Sequence, residues 1–237
     1  MFRTILMLFF WTAALPFAAV SGIPWTYISK NITFLYQSCM WAAWNGVRLA
    51  GVRVQTIGLE KIDPARTYIF MSNHVSNLDP PITLPLIPRR TSVMVKKELF
   101  KVPILGHIMT IGSLVPVDRG NRDAGVSAVR DAVKAIGQGL NMTIYVEGKR
   151  SFDGKLLPFK KGPFYLAQEC KVPVVPITIS GTEAVMPKAH FAIHPGLVTV
   201  QFHDPIEPAN FGDRDSLMAK VRAAINSGLP TELRELS

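Results

Sequence analysis

The sequence predicts an α/β fold, with a central mostly parallel or mixed sheet flanked by helices and preceded by two apolar helices. From Val52 onward, short β-prone runs alternate with amphipathic stretches, and no long linker or repeat interrupts them. Such alternation is typical of a sheet covered by helices. Residues 4–47 carry a single charge, on Lys30. The length of 237 residues suits one α/β domain with an appendage.

The nearly uncharged N-terminal tract predicts a membrane-embedded two-helix motif. A spanning helix needs about 20 apolar residues, and the first half of the tract is that long, but Pro16, Gly22 and Pro24 are expected to bend or break it. Trp41 and Trp44 in the second half favour a membrane interface. We therefore expect two broken or interfacial helices that enter one leaflet and return. A cleaved signal peptide is the alternative.

The remaining elements follow from hydrophobic periodicity. Seven β-prone runs are expected to form the strands: Arg53–Ile57, Tyr68–Ser72, Ser92–Val95, Leu114–Val117, Met142–Val146, Val174–Ile179 and Val198–Phe202. Apolar residues at three- and four-residue spacing indicate helices over Val126–Ile136 and Leu217–Ile225. The expected organisation is an anchor, residues 1–50, followed by a catalytic domain, residues 51–237.

The composition restricts the class of partner and the redox compartment. The 26 lysines and arginines outnumber 17 acidic residues, which gives a net charge of +9, and 48% of the residues are hydrophobic. A basic and apolar chain suggests an anionic partner, such as nucleic acid, an anionic membrane or a phosphorylated substrate. The two cysteines, Cys39 and Cys170, make no disulfide framework, which favours a reducing compartment.

A histidine and an aspartate five residues apart form the first candidate site. His74 and Asp79 follow the β-prone run that ends at Ser72, and Pro80 and Pro81 fit the first turn of a helix. An imidazole paired with a carboxylate can deprotonate an alcohol, because the carboxylate fixes the tautomer and stabilises the imidazolium. No protein nucleophile is needed if the substrate supplies the hydroxyl.

Two further motifs place cations at strand ends. Arg119 follows the strand-like run that ends at Val117, and its planar guanidinium suits a phosphate. A surface ion pair with Asp118 is the alternative there.

The second cationic motif is Glu147-Gly148-Lys149-Arg150, again at the end of a strand-like run. Its glycine permits a tight turn or a close ligand approach. Alone it could be a solvated basic loop, but together with the other motifs it predicts a phosphate-binding wall.

Four blocks in this order resemble the motifs of the glycerolipid acyltransferase family, and within it the bacterial 1-acyl-glycerol-3-phosphate acyltransferases. They are Asn73–Asp79, Val115–Arg119, Tyr145–Ser151 and Val172–Ile177. The third block is usually Phe-Pro-Glu-Gly-Thr-Arg-Ser in that family, and here a lysine, Lys149, stands in place of the threonine. The resemblance covers about residues 50–205, a stretch long enough to include every strand-like run.

The resemblance implies a reaction and a role for each candidate residue. The reaction is acyl transfer from acyl-CoA or acyl-ACP to the sn-2 hydroxyl of 1-acyl-glycerol-3-phosphate (lysophosphatidic acid), which gives phosphatidic acid in phospholipid biosynthesis. His74 is then the general base and Asp79 its orienting carboxylate, with no acyl-enzyme. The phosphate and glycerol are assigned to the motif residues at the strand ends: Arg119, Glu147, Gly148, Lys149 and Arg150. Supporting roles are assigned to Asn73, Lys96 and Lys97.

The resemblance also implies the surroundings of the reaction. We expect a monotopic monomer on the inner membrane, with its catalytic domain on the cytoplasmic side, and with no cofactor, metal or nucleic acid bound. Three alternatives stay open. The acceptor could be another lysophospholipid or an acylated amino-acid lipid. His74 and Asp79 could be ligands of a metal-dependent hydrolase, or the chain could be a non-catalytic binder of phospholipid or nucleic acid.

Overall fold

The computed structural model describes residues 1–118 and 122–235, the side chains of residues 122–124 excepted, and these residues fold around one mixed sheet. Its seven strands in the described residues are β1 (Val52–Ile57), β2 (Ile69–Ser72), β3 (Thr91–Lys96), β4 (Val115–Val117), β5 (Asn141–Tyr145), β6 (Val174–Ser180) and β7 (Gly196–Phe202). They are ordered β1-β7-β6-β2-β5-β3-β4. Only β6 and β7 pair antiparallel, and the other neighbours are parallel. The predicted fold class is confirmed.

Helices cover both faces of the sheet. In the described part of the chain they are α1 (Phe2–Ser29), α2 (Thr33–Leu49), α3 (Asp79–Thr83), α4 (Leu105–Ile111), α5 (Arg122–Gly137), α6 (Gly162–Cys170), α7 (Thr182–Val185) and α8 (Arg214–Gly228). Every strand lies within two residues of its sequence prediction. The two predicted stripes lie on α5 and α8, because a face that repeats every three to four residues is buried most completely as a helix.

Each face of the sheet carries its own hydrophobic core. On one face, α5, α6 and α8 contribute Ala132, Phe164 and Leu217, all fully buried. On the other, α2 and α3 contribute Val47 and Ile82. A fully buried side chain of this size contributes about 1.5–3 kcal/mol, so the sheet is held from both sides.

The register of the strands brings four carboxyl ends to one edge. Ser72 of β2 lies opposite Tyr145 of β5, and Lys96 of β3 lies opposite Val117 of β4. Because these strands are parallel, the loops that follow them meet at the same edge of the sheet. Ligands of open α/β sheets bind outside the carboxyl ends of the strands, so this edge is where a site is expected.

The helices α1 and α2 form an antiparallel hairpin with two points of close approach. A Cβ added at Gly22 would lie 2.8 Å from Leu35 Cδ1, and one added at Gly46 would lie 2.0 Å from Trp11 Nε1. The same indole nitrogen donates to the carbonyl of Ala42 at 2.9 Å. Both glycines therefore allow one helix to lie directly on the other.

The prolines of α1 do not break it, contrary to the expectation from the sequence. Pro16 and Pro24 both lie inside one continuous helix, Phe2–Ser29. A proline removes one backbone hydrogen bond but fixes a helical φ, and packing along α2 holds the rest of the helix in place. Gly22, also expected to interrupt the helix, is instead a packing residue.

The hairpin is half core and half exposed apolar surface. Met7 and Val47 belong to the same buried cluster as the sheet residues. By contrast, Phe2, Phe9 and Phe17 are each about three-quarters exposed. In the described residues, α1 is the one helix long and apolar enough to cross a membrane, and 22% of its apolar window is buried. Contiguous exposed apolar surface of this kind marks a contact with a lipid or a protein partner.

Candidate active site

The His74–Asp79 pair lies in the loop that follows β2. His74 Nδ1 and Asp79 Oδ2 are 2.6 Å apart, and the same carboxylate oxygen accepts the backbone N–H groups of Val75 and Ser76 at 2.8 and 2.9 Å. Asp79 is the first residue of α3 and is fully buried. One carboxylate oxygen thus folds the loop back on itself and fixes the imidazole.

These contacts place the proton of a neutral imidazole on Nδ1 and leave Nε2 free, which is the form that can act as a base. Asp79 Oδ2 already accepts two N–H groups, so His74 Nδ1 carries the proton that it donates to this oxygen. The other ring nitrogen, Nε2, makes no hydrogen bond within the described residues, and the His74 side chain is 12% exposed. An imidazole with a free and partly exposed lone pair can accept a proton from a bound hydroxyl.

Glu147 supports the backbone of the base. Its Oε1 accepts the N–H of His74 at 3.0 Å, and its Oε2 accepts the N–H of Leu157 at 3.0 Å. Glu147 is 1% exposed. Burial raises its pKa to about 7, the charge of Asp79 adds to the rise, and the two N–H groups and Arg222 oppose it. Glu147 therefore lies behind the base, and its contact with the glycerol of a substrate stays a prediction.

Two further contacts fix the loop on either side of His74. The Asn73 amide donates to the carbonyl of Ile179 and accepts its N–H, both at 2.8 Å, which extends the pairing of β2 with β6. The carbonyl of His74 accepts the N–H of Ser151 at 2.8 Å. The first and third motifs are therefore joined through the backbone of the base itself.

Tyr145 supports the imidazole ring from one side, a role that was not predicted from the sequence. The two rings stack with centroids 4.3 Å apart. The Thr83 hydroxyl donates to the Asp79 carbonyl at 2.7 Å, which leaves the Tyr145 hydroxyl to donate to Thr83 Oγ1 at 3.0 Å. Burial, with the charge of Asp79, holds the pKa of Tyr145 well above its usual 10, so its phenol stays neutral. The one available signal was a tyrosine where the family motif has phenylalanine.

The loop after β5 presents cations beside the base. Lys149 is exposed and Arg150 is partly exposed. Lys188, which lies in no motif, donates to the carbonyl of Arg150 at 2.8 Å and packs on the Phe152 ring. Partial desolvation and then the charges of Arg150 and Lys149 lower the pKa of Lys188. Three cations close enough to repel each other suit an anionic ligand.

Gly148 forms the turn between Glu147 and these cations. Its φ of +70° is a conformation that side chains rarely adopt, and its N–H donates to the Tyr145 carbonyl at 3.0 Å. The glycine therefore allows the chain to turn directly after the buried carboxylate, whereas its predicted contact with the glycerol is untested.

The remaining predicted residues lie at the ends of β3 and β4. Arg119 lies outside the described residues. Lys97 forms an ion pair with Asp118, the residue that precedes Arg119, and this pair raises the pKa of Lys97. Lys96 lies 3.7 Å from Glu98 and both are exposed. Lys97 and Asp118 thus join the loops after β3 and β4, while the supporting roles of Lys96 and Lys97 in substrate binding stay predictions.

The described residues contain no group of three or more histidine, cysteine, aspartate or glutamate side chains that could hold a metal ion. The carboxyl edge of the sheet holds an imidazole paired with one carboxylate, a second carboxylate behind it, and a cationic loop beside it. Such an arrangement can deprotonate a hydroxyl on a molecule that also carries a negative charge.

Comparison with known proteins places this arrangement among relatives. The family model described as Acyltransferase matches residues 53–180. The chain is 33% identical over 185 residues to the 1-acyl-sn-glycerol-3-phosphate acyltransferase of Limnanthes alba, which covers 78% of this chain and 64% of that protein. It is 32% identical over 157 residues to the human 1-acyl-sn-glycerol-3-phosphate acyltransferase beta, covering 66% and 56%.

A solved structure matches along the whole chain. The crystal structure of the 1-acyl-sn-glycerophosphate (LPA) acyltransferase PlsC from Thermotoga maritima gives a TM-score of 0.87 at 25% identity, and covers 100% of this chain and 97% of that one. The chain spans just under two thirds of the length of the plant relatives it matches. The matched region includes both the His74–Asp79 loop and the loop after β5.

Proposed function

The chain belongs to the acyltransferase family, and from this premise we propose that it transfers an acyl chain from a thioester donor to the sn-2 hydroxyl of 1-acyl-glycerol-3-phosphate. The product is phosphatidic acid, a precursor in phospholipid biosynthesis. The observation that carries the proposal is the buried 2.6 Å contact of His74 with Asp79 beside a cationic loop. The printed names of the relatives in plants and human support the choice of acceptor.

His74 acts as the general base in this mechanism. Its Nε2 takes the proton of the acceptor hydroxyl while the hydroxyl oxygen attacks the thioester carbonyl, and Asp79 stabilises the imidazolium. The C–S bond then breaks and the thiolate leaves with the proton that His74 returns. No acyl-enzyme forms, because the acceptor itself is the nucleophile. General-base help of this kind is worth about 10²–10⁴-fold in rate.

The cations beside the base orient the acceptor. We assign its phosphate to Lys149, Arg150 and Lys188, together with Arg119, which ends the second motif. Guanidinium groups pair with phosphate oxygens through two parallel hydrogen bonds, which fixes direction as well as distance. A held phosphate places the glycerol hydroxyl at a defined distance from His74, and alignment alone can be worth several kcal/mol.

The apolar hairpin brings the reaction to the membrane surface. Both substrates carry acyl chains, whose removal from a bilayer costs about 0.8 kcal/mol per CH₂. The exposed face of α1, with Phe9 and Phe17, would contact acyl chains and avoid that cost. We propose a monotopic monomer on the cytoplasmic side of the inner membrane, with acyl-CoA or acyl-ACP as the donor and no resident cofactor.

A panel of acceptors tests this function. The purified chain is given acyl-CoA or acyl-ACP with lysophosphatidic acid, other lysophospholipids or an acylated amino-acid lipid, and the acylated product is measured. We expect the highest kcat/KM with lysophosphatidic acid, and a loss of about 10²–10⁴-fold in His74→Ala. A higher kcat/KM with another acceptor would move the function to that lipid. Full activity in His74→Ala would contradict the mechanism.

A further inference from the structure

A second cationic site lies at the same end of the sheet as the His74 loop, but beside the edge strand β1. A groove of about 710 Å³ is lined by three arginines, Arg3, Arg48 and Arg53, with the Trp44 indole and the backbone at Gly51 and Gly196. It lies where β1 and β7 begin. From β1 to β2 there are three steps between strands, about 14 Å at ~4.8 Å each, so the groove is separate from the His74 loop.

The groove is built from three separate segments. Arg3 lies in the first turn of α1, Arg48 in the last turn of α2 and Arg53 in β1. The hydroxyl of Thr4 accepts the N–H of Ile193 at 2.9 Å, which fixes the start of α1 beside the strands. The three arginines are therefore positioned by the tertiary fold.

Gly51 gives the Arg3 guanidinium its place. A Cβ at this position would lie 1.8 Å from Arg3 Nη1, and the φ of Gly51 is +81°. Only a residue without a side chain allows the guanidinium to rest on this turn.

None of the three guanidinium groups has a partner among the described residues. Within residues 1–118 and 122–235, the side chains of Arg3, Arg48 and Arg53 form no hydrogen bond and no ion pair, and all three are exposed. Elsewhere, Arg66 pairs with Glu207 at 2.8 Å. Guanidinium groups are permanently charged, so three of them around one groove attract an anion. A bound anion also reduces the electrostatic repulsion among the three charges.

The surroundings of the groove favour an anion that carries acyl chains. Phe2 and Ile5, next to Arg3 in sequence, are 77% and 59% exposed. Trp44 is of the residue type that favours the membrane interface. An anionic lipid could place its phosphate among the arginines and its chains along the exposed apolar side of α1.

We propose that this groove binds the phosphate of an anionic phospholipid as a second lipid site, distinct from the site at which the acceptor reacts. The inference rests on the membrane contact proposed above, though not on the reaction at His74. The bound lipid would hold the hairpin at a membrane surface that contains anionic headgroups. Each arginine near such a surface is worth about 1 kcal/mol, so the site adds to the apolar contact of α1.

Vesicle binding by the full chain tests the proposal. Binding is measured to vesicles of phosphatidylcholine alone and to vesicles that also contain phosphatidylglycerol. The groove variant is Arg48→Gln with Arg53→Gln. The matched control is Arg130→Gln with Lys220→Gln, which removes the same charge from exposed positions on α5 and α8. Equal thermal unfolding midpoints in all three proteins ensure that folded chains are compared.

We expect the groove variant to bind the anionic vesicles about tenfold more weakly than the control variant, which corresponds to about 1.4 kcal/mol. All three proteins should bind phosphatidylcholine vesicles equally and should acylate saturating lysophosphatidic acid in detergent at the same kcat. An equal loss in both variants would overturn the proposal, because it would show only non-specific attraction of charge.

Two further arms separate the sources of the phosphate. Free inorganic phosphate and coenzyme A are added to the wild-type protein on anionic vesicles. We expect that neither additive releases the wild-type protein from the vesicles at concentrations at which the control variant stays bound. Release by coenzyme A, with a raised KM for acyl-CoA in the groove variant, would overturn the lipid assignment in favour of a soluble donor. If the wild-type protein binds no vesicle of either composition, the proposed membrane contact is contradicted. If it binds vesicles but does not acylate lysophosphatidic acid, only the proposed reaction is contradicted.

Discussion

The loop after β2 and the groove at the start of β1 use charge in opposite ways. One oxygen of Asp79 in the loop, and both oxygens of Glu147 behind it, accept hydrogen bonds from the protein. In the groove, the arginines Arg3, Arg48 and Arg53 have no partner within the described residues. Internal partners hold a group in one geometry, as proton transfer requires, whereas unpaired charges leave binding capacity for a ligand. The comparison predicts that loss of an internal partner lowers kcat, and loss of an unpaired cation weakens binding.

The largest expected effect is that of Asp79→Asn. The amide keeps the size of the side chain, but it accepts fewer hydrogen bonds and cannot stabilise an imidazolium by charge. We expect kcat to fall about 10²–10⁴-fold, the range given for His74→Ala, with a smaller change in KM, because Asp79 acts through His74. Steady-state kinetics with lysophosphatidic acid measures both constants. A kcat within tenfold of wild type would place the base elsewhere.

Glu147→Gln should lower kcat by about 10–100-fold, because the amide keeps an acceptor for only one of the two N–H groups, which belong to His74 and Leu157.

The same variant should also change how the stability of the protein depends on pH. The pKa of Glu147 is about 7 in the folded protein, above that of an unfolded glutamate, so the folded chain keeps a proton that the unfolded chain releases between pH ~4.5 and ~7. The stability of the wild type relative to the variant should therefore fall by up to about 3 kcal/mol as the pH rises through that window.

Denaturant unfolding of both proteins at several pH values measures this difference. A constant difference between pH 4.5 and 7 would show that burial of the Glu147 carboxyl does not shift its proton binding. A kcat equal to that of the wild type would remove its role in positioning the base.

Lys188→Met should act on the acceptor, since Lys188 adds a cation beside Arg150 and Lys149. We expect KM for lysophosphatidic acid to rise about fivefold, the upper end of what one charge near the surface contributes. The matched control Lys220→Met, at an exposed position on α8, should leave KM unchanged. With monoacylglycerol, which lacks the phosphate, Lys188→Met and wild type should react alike. A KM effect with monoacylglycerol would assign Lys188 a structural role.

Lys149 is tested in the same assay. Lys149→Thr restores the residue that is usual in the motif. If Lys149 contacts the phosphate, KM for lysophosphatidic acid should rise by a factor of about five, while an unchanged KM would remove Lys149 from the site.

The smallest expected effect is that of Tyr145→Phe. This change keeps the ring that stacks on His74 and removes only the hydroxyl that donates to Thr83. One neutral hydrogen bond contributes about 0.5–1.5 kcal/mol, so kcat should fall about threefold. Tyr145→Ala, which removes the ring as well, should lower kcat further. Equal kcat values for Tyr145→Ala and wild type would show that stacking does not position the imidazole.

The strands and the contact of His74 with Asp79 could be predicted from sequence because each signal is local. Alternation of residues locates β2 and β5, and a spacing of five residues joins His74 to Asp79 through one turn of loop. The position of Glu147 could not be predicted, because a motif shows which residues are near in sequence but not which way a side chain points. Lys188 was missed for a related reason. It lies between α7 and β7 and reaches Arg150 only in the folded chain, and no sequence pattern marks that contact.

The N-terminal helices show where local rules fail. Pro16 and Gly22 each destabilise an isolated helix, yet Gly22 packs on Leu35 and the helix continues past Pro16. Tertiary packing decides the outcome there, and it is invisible in the sequence of α1 alone.

The hydrogen bond from the Ser151 N–H to the His74 carbonyl has a consequence for selectivity. It joins the loop of Lys149 and Arg150 directly to His74, the proposed general base. A phosphate that orders this loop also orders the base, so an acceptor without a phosphate would bind less tightly and, once bound, would react more slowly. Part of the binding energy between the phosphate and the cationic loop then raises kcat, although the phosphate lies away from the reacting oxygen. An enzyme of this design would reject abundant neutral lipids by rate, even at concentrations that fill its site.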